Sequence, residues 1–341
     1  MENEGLYDVT VIGGGPIGLF TTFYSGMREL KTKLIESSPD LGGKITMFYP
    51  EKMLRDIGGV LGITGADLVK QLEQQAKTFE PTIICGQLIS DLQRNEDGTF
   101  LLTTSTGEIH HTKTIILTVG AGIFKPIKLD LSGAEFYENS NLHYSVDELE
   151  TFRDKNVLIS GGGNSAVDWA NELISIAESI TVIHRREEFG GHERHVANMK
   201  KMANILTPYE LKELLGEENL IKQVIIKNLE TGDRHTIEVD ALVVNHGIQG
   251  DFGGINDWGL NLREERFVVN GAMETNIPGI FAAGDAVTYP NKLKLIAGGF
   301  REGPIAVNSA KKYLKPDSEP MSMYSTHHEK LLVVLGQEKT T

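Results

Sequence analysis

The 341-residue chain has one cysteine, Cys85, and only two tryptophans. A single cysteine excludes an intramolecular disulfide, a Cys-x-x-Cys redox pair and a cysteine-based zinc cluster. Its flank, Ile83-Ile84-Cys85, reads as a buried strand, so the thiol is expected to pack rather than react. No apolar run approaches the ~18–20 residues of a membrane span, and the opening MENEGLYD lacks the basic and apolar regions of a secretory signal. The expected setting is cytoplasmic, without a membrane partner. Basic charge is scarce as well: 33 Lys and Arg against 47 Asp and Glu give a formal net charge of −14. A nucleic-acid binder needs a basic footprint, so that partner class drops out.

Other chemistries are absent by motif. His192-Glu193-Arg194-His195 is one residue short of His-Glu-x-x-His, so the imidazoles miss the i, i+4 geometry of a zinc site; no metal is expected. There is no Gly-x-x-x-x-Gly-Lys-Ser/Thr run for phosphoryl transfer. Ser165 lies outside any Gly-x-Ser-x-Gly elbow, so it reads as a phosphate neighbour rather than a nucleophile.

Glycine is plentiful, 37 residues, above the ~7% of ordinary proteins. The length exceeds what one core of ~250–300 residues serves, which predicts two domains. The glycines concentrate in a device that occurs twice. Residues 9–19 read VTVIGGGPIGL and residues 157–167 read VLISGGGNSAV. Each is a short β-branched run, then Gly-x-Gly-x-x-Gly/Ala, then a helical pattern. Gly13 and Gly161 permit the strand-to-helix turn, and Gly15 and Gly163 let backbone approach a pyrophosphate. Gly18 and Ala166 allow the helix to pack on the strand. Pro16 in the first copy, and Asn164 and Ser165 in the second, open helices whose N-termini face the phosphates.

The second strand of each copy ends with opposite charge. Lys33-Leu34-Ile35 is followed by Glu36, which accepts hydrogen bonds from a free ribose diol and repels a 2′-phosphate. Ile180–Ile183 is followed by His184-Arg185-Arg186, and two guanidiniums suit a phosphate dianion. The first copy therefore predicts FAD or NAD, the second NADPH. Late in the chain, Thr275 to Asp285 forms a turn, an apolar strand and Ala283-Gly284-Asp285. The fold class expected is α/β, with two Rossmann-like (three-layer ββα) dinucleotide-binding domains, the NADP domain inserted in the FAD domain. The expected bounds are 1–119 for the first FAD part, 120–247 for the NADP domain, and 248–341 for the second FAD part with a flavin-covering tail. Hinges are expected at 120–122 and 246–247. Residues 66–79 read as an amphipathic helix, Phe100–Thr104 and His110–Ile116 as hairpin arms. Residues 304–314 read as a helix opened by Pro304 after a glycine-rich approach, Ala297-Gly298-Gly299-Phe300.

With these elements in this order, residues 6–328 resemble the thioredoxin-reductase-like flavoproteins, the class II pyridine nucleotide-disulfide oxidoreductase fold. The Cys pair expected just before the second fingerprint is missing; Glu148-Leu149-Glu150-Thr151-Phe152 stands there. The cysteine-free branch is the thioredoxin-reductase-like ferredoxin–NADP reductases. Leu41-Gly42-Gly43, Phe48-Tyr49-Pro50-Glu51-Lys52, Asn141-Leu142-His143-Tyr144, Met273-Glu274-Thr275-Asn276 and Tyr324-Ser325-Thr326 match its pattern. The resemblance implies that Glu36 binds the FAD ribose, Lys44 lies near the diphosphate or ribityl region, and Tyr49 sits against the isoalloxazine. It implies adenine contact through the backbone of Ile89, a flavin cover from Phe124 and Tyr324, ribityl contact from Gly284-Asp285, and closure by Thr326. Three departures stand out: Lys44 replaces a usual Gln; Gly190-Gly191 replace a common Arg-Ala, removing a possible third phosphate ligand; and the tail beyond His328 is longer and more apolar than the pattern, with Leu331-Leu332-Val333-Val334-Leu335.

The implied activity is electron transfer between NADPH and ferredoxin or flavodoxin through FAD, in a homodimer, with no acid–base dyad required. The other readings are an NAD(P)H oxidase or diaphorase, and a redox-inert nucleotide sensor. An acidic enzyme meeting an acidic ferredoxin needs a local basic patch, for which Lys31, Lys33, Lys292 and Lys294 are the candidates.

Overall fold

The computed structural model describes residues 5–50, 52–138, 140–146, 148–318, 324–328 and 331. Glu51 and residues 332–335 of the apolar tail lie outside them. Among the described residues the α-helices are α1 (Pro16–Met27), α2 (Lys44–Phe48), α3 (Gly65–Ala76), α4 (Asn164–Leu173), α5 (Glu193–Met202) and α6 (Ile296–Leu314). The chain divides into two compact units, Met1–Ile123 with Gly250–Thr341, and Phe124–Gln249. The connecting strands Ile123–Pro126 and Ile248–Asp251 pair with each other.

In the first unit, parallel strands run in the order Thr82–Ile84, Thr32–Ile35, Leu6–Ile12, Ile109–Leu117. The last of these is divided between two partners. Its first half pairs antiparallel with Phe100–Thr104, whereas Ile115–Leu117 pair in parallel with Ile280–Ala282. Strand Ile89–Arg94 completes the antiparallel meander. A sheet covered on both faces must be apolar on both, and Val9, Val11, Leu34, Ile35, Ile116 and Leu117 are all buried. Helix α3 buries Leu68, Val69, Leu72 and Ala76, one stripe at helical spacing, and Thr64 caps it by accepting the Asp67 N–H.

The second unit repeats the plan. Its parallel strands are ordered Leu142–His143, Ala241–Val244, Asn156–Ser160, Ser179–Ile183, Asn204–Leu206. An antiparallel layer of Tyr209–Glu217, Leu220–Asn228 and Arg234–Glu238 covers one face. Side chains alternate with a period of two: Val157, Ile159, Ala241 and Val243 face the helices. Leu158, Leu242 and Val244 join Leu211, Val224 and Ile226 on the other side. That alternation makes three layers from one sheet.

Two sequence expectations change. The last long helix starts at Ile296, not Pro304, and carries Pro304 in its interior. Packing explains it. A Cβ at Gly299 would stand 2.4 Å from Ile17 Cδ1, and one at Gly303 2.4 Å from Thr21 Oγ1. The glycines thus let α6 lie against α1, and burial of Ala306, Val307 and Ala310 helps offset the ~3 kcal/mol of an interior proline. Cys85 falls one residue past the strand Thr82–Ile84 and is half-buried. Burial, then the charges of Glu36, Glu73 and Asp40, push its thiol pKa up, which keeps it protonated and unreactive. Among the described residues no helix is long and apolar enough to cross a membrane.

Candidate functional site: two nucleotide cradles

The first cradle is built where Leu6–Ile12 turns into α1. Gly13 sits at φ +104°, and a Cβ there would be 2.6 Å from the Thr118 carbonyl oxygen. A Cβ at Gly18 would be 1.8 Å from the Gly13 oxygen, so α1 is pressed onto the turn. Thr118 Oγ1 donates to the carbonyls of Ile12 and Gly13, at 3.0 and 2.8 Å. Gly15 differs: nothing lies within 4 Å of its missing Cβ. It caps α1 with Pro16 at the first helical position, so unpaired amides and the positive helix end face open space. A pyrophosphate fits that space.

Glu36 closes the rim. It is buried; its Oε2 accepts the Gly14 N–H at 2.6 Å, and its Oε1 accepts Ser38 N–H at 2.8 Å and Ser37 Oγ at 3.0 Å. A carboxylate has about four lone-pair sites, leaving capacity for ribose hydroxyls. Leu41-Gly42-Gly43 folds over the turn: Gly42 N–H donates to the Gly14 carbonyl at 2.9 Å, and a Gly43 Cβ would be 3.3 Å from Gly15 Cα. Lys44 thereby starts α2 beside the cradle, its side chain exposed. Gln87 N–H donates to the Glu36 carbonyl, bringing the segment before buried Ile89 to the same rim. Gly284, before Asp285, lies against Ile17 of α1, where its Cβ would be 3.2 Å from Ile17 Cγ1. Tyr49 is half-buried; burial, then the charges of Asp285 and Asp56, raise its hydroxyl pKa. Glu36, Lys44, Tyr49, Ile89, Gly284 and Asp285 are thus each tied to the first glycine turn or to a neighbour of it.

Three residues are expected as flavin covers. Tyr324 and Thr326 are exposed. The tail's anchor is His328, whose Nε2–H donates to the Met27 carbonyl at 3.0 Å while Nδ1 accepts the Leu331 N–H. Met27 ends α1, a helix of 12 residues, so this anchor stands about 18 Å from the glycine turn at 1.5 Å per residue. Phe124 lies half-buried on the connecting strand Ile123–Pro126 and belongs to the second unit.

The second cradle follows Asn156–Ser160. A Cβ at Gly161 would be 2.5 Å from the Asn245 carbonyl, whereas Gly163, like Gly15, faces open space. Asn164 and Ser165 are exposed at the start of α4, and Ala166 is fully buried in the helix packing. The His184 ring lies flat against Gly162, where a Cβ would be 2.3 Å from Cδ2. Arg185 and Arg186 are exposed beside it. Burial, then the two arginines and His246, hold the His184 pKa below its ordinary value; burial and Arg185 do the same to His246. Both imidazoles are therefore neutral near pH 7. His246 Nε2 pairs with Ser160 Oγ at 2.8 Å. Gly190 N–H donates to the Gly162 carbonyl at 2.7 Å, so Gly190-Gly191 crosses the turn itself.

The fit to a nucleotide has an independent sign here. Asn245 Oδ1 is buried without a hydrogen-bond partner among the described residues, next to Gly161. An orphaned acceptor costs about 1–3 kcal/mol, and a hydroxyl or amide of a bound nucleotide would supply a suitable donor. Asn245 and His246, beside the second glycine turn, belong to no spaced motif; the sequence pointed near them only through the strand end Ala241–Val244 and the hinge expected at 246–247.

Two members of the anticipated basic patch are corrected. Lys33 is buried with its ammonium 4.2 Å from the Tyr7 ring centroid and 3.1 Å from His110 Nδ1. Both faces of its strand are covered, so the polar residue in the alternation points inward. The Lys292 side chain is buried in an ion pair with Glu302. Lys31 and Lys294 are exposed. Among the described residues no cluster of three metal-ligating side chains occurs, and His192 instead caps α5 by accepting the Arg194 N–H.

The sequence profile of the pyridine nucleotide-disulphide oxidoreductases matches residues 7–310. The chain belongs to that family. It is 56% identical over 332 residues, 97% of this chain and 99% of the relative, to ferredoxin–NADP reductase 1 of Bacillus velezensis. It is 48% identical over 333 residues, 97% of this chain and all of the relative, to the protein of the same name from Listeria monocytogenes. Among solved structures, thioredoxin reductase of Lactococcus lactis superposes with a TM-score of 0.64 at 25% identity, covering 90% of this chain and 99% of that one. The bacillithiol disulfide reductase of Staphylococcus aureus gives 0.68 at 18% identity, covering 92% and 99%, a likeness of fold alone. The α/β class with two Rossmann-like sheets is thereby borne out.

Proposed function

We propose that this chain is a ferredoxin–NADP(+) reductase, an FAD-dependent oxidoreductase that uses NADPH. The observation that carries the reading is a pair of matching glycine cradles with a carboxylate on one rim and two guanidiniums on the other. A single cysteine removes any thiol relay between them. Relatives sharing about half of its residues, along nearly the whole chain, bear that name.

Bound FAD supplies the chemistry that no side chain offers, joining two-electron hydride chemistry to one-electron transfer. The chain's own residues bind and orient. Gly13–Gly18 and the α1 N-terminus hold the FAD pyrophosphate, Glu36 the ribose, and Ile89 the adenine through its backbone. Lys44, Tyr49 and Asp285 line the flavin side, with Phe124, Tyr324 and Thr326 as its covers. Gly161–Ala166 hold the NADPH pyrophosphate, and His184, Arg185 and Arg186 its 2′-phosphate, Gly190 leaving room beside them. Ferredoxin is the electron partner and flavodoxin an alternative one. The working form is a cytoplasmic homodimer in which the tail serves a second copy, a reading supported by its His328 anchor at the far end of α1.

Purified protein carrying FAD should lose its flavin absorbance on anaerobic mixing with NADPH, and should reduce cytochrome c only when ferredoxin is added. Turnover with oxygen that equals turnover with ferredoxin overturns the assignment in favour of an oxidase. A flavin that stays oxidised in NADPH overturns it in favour of a nucleotide sensor.

A further inference from the structure

Helix α6 carries a carboxylate where an interior helix position is otherwise apolar. Glu302 is 1% exposed. Its Oε2 accepts the Gly284 N–H at 2.8 Å; its Oε1 accepts the Tyr289 hydroxyl at 2.6 Å and the Lys292 ammonium at 2.5 Å. The Lys292 side chain is 6% exposed. A buried charge is retained only when paired and hydrogen-bonded, and both oxygens of Glu302 are committed. Burial, and then the bond to Glu302, push the Tyr289 hydroxyl pKa up to about 12, so it stays a donor across the working pH range.

What this network holds is one turn. Gly284 sits at φ +82°, a conformation that favours glycine, and its missing Cβ leaves it against Ile17, the residue after Pro16. Gly299 of α6 also lies against Ile17, and a Cβ there would be 3.5 Å from Gly284 Cα. The Gly284–Ala286 turn is therefore seated on the first turn of α1 and pinned from behind by Glu302. Arg266 adds a bond to the Asp285 carbonyl. Asp285 is left half-buried with its side chain uncommitted by Glu302, Tyr289 or Lys292.

We infer that Glu302, charge-balanced by Lys292, is a positioning residue for flavin binding: it fixes the Gly284–Asp285 turn against α1 so that Asp285 meets FAD in register with the glycine cradle. The inference rests on the reading of Asp285 as an FAD contact. In this role Glu302 acts through Gly284, whose N–H it accepts, rather than by touching the nucleotide.

The test is the rate of FAD release from the holoenzyme, followed as the rise of free-flavin fluorescence after dilution. Glu302→Ala and Asp285→Asn should each speed release at least tenfold. Their combination should speed it less than threefold beyond the faster single variant, because one acts through the other. Glu302→Gln, which keeps the volume and one oxygen toward Gly284, should fall between wild type and Glu302→Ala, and it serves in the cycle if the alanine variant does not fold. Multiplying effects, or release from both Glu302 variants at the wild-type rate with only a lower Tm, overturn the inference and leave the network as packing. A wild-type chain that binds no FAD instead overturns the functional reading, so the two failures are distinct.

Discussion

Glu36 and Gly14 are 22 residues apart, yet a 2.6 Å hydrogen bond joins the Glu36 carboxylate to the Gly14 amide. The acidic residue proposed for the ribose therefore also builds the turn proposed for the pyrophosphate. Removing it touches both. Glu36→Ala leaves the buried amide of Gly14 without an acceptor, at about 1–3 kcal/mol, and the half-buried amide of Ser38 at less. The expected outcome is protein purified with little flavin and with lowered stability, measured as the flavin-to-protein absorbance ratio and by urea denaturation. Glu36→Gln keeps an acceptor for one amide; it should recover most of the stability while binding FAD roughly tenfold more weakly. Equal flavin content in wild type and Glu36→Ala would show that the ribose lies elsewhere.

The two open glycines separate nucleotide binding from folding. Gly15 and Gly163 have ordinary negative φ, near −70° and −84°, and empty space where a Cβ would go. A Cβ there meets nothing in the protein but would stand in the place proposed for the phosphate. Gly163→Val should keep wild-type Tm and full flavin content while raising the KM for NADPH at least tenfold. Gly15→Val should keep the fold and come off the column colourless. Gly18→Ala is the contrast, since its Cβ would collide with the Gly13 oxygen; it should lower Tm. A Gly163→Val enzyme with unchanged KM would exclude the second cradle as the nucleotide site.

How much of this was legible follows from the range of the interactions. The glycine turns and the charges at the end of the next strand repeat at fixed spacing, because each copy is one strand–turn–helix–strand unit, so sequence alone displays them. The same holds for the stripe on α3. The start of α6 was hidden: Gly298-Gly299 reads as a break until Ile17, some 280 positions earlier in the chain, is seen to need the space. Lys33 and Lys292 read as surface charge, because local pattern does not say that a strand is covered on both faces or that a carboxylate ten residues on is waiting. Asn245 was silent for another reason. Its orphaned oxygen is a property of atoms around it, not of residue type.

Gly190 marks the place where coenzyme preference is open to change. Its N–H crosses to the Gly162 carbonyl, and a Cβ there would be 3.4 Å from Gly163 Cα, ordinary contact without a positive φ. An arginine can be accommodated and would add a third guanidinium to Arg185 and Arg186. A hydrogen bond to a charged group is worth about 1.5–3 kcal/mol, discounted here because the site is exposed. Gly190→Arg should therefore raise the ratio of kcat/KM for NADPH over NADH by about tenfold, more at low ionic strength. Arg185→Ala should lower the same ratio. A ratio indifferent to both would place the 2′-phosphate away from this rim.

Acid stability offers a last check on the buried polar groups. Burial, then the Lys33 ammonium 3.1 Å away, holds the His110 pKa below its ordinary 6.5. His184 and His246 shift in the same direction. Between the folded and unfolded values, the unfolded chain binds more protons, so stability rises with pH across that window. The contribution is fully present above about pH 6.5 and is lost as pH falls through the folded values. Tm should hold from pH 8 to 7 and fall progressively below 6.5, ahead of the carboxylates, which titrate mostly below pH 5. His110→Asn keeps an acceptor for Lys33 but cannot take a proton; in that variant the fall between pH 6.5 and 5.5 should be shallower. A variant whose Tm profile runs parallel to that of wild type through this range would mean that His110 protonates freely in the fold, and that the Lys33–His110 contact does not persist in solution.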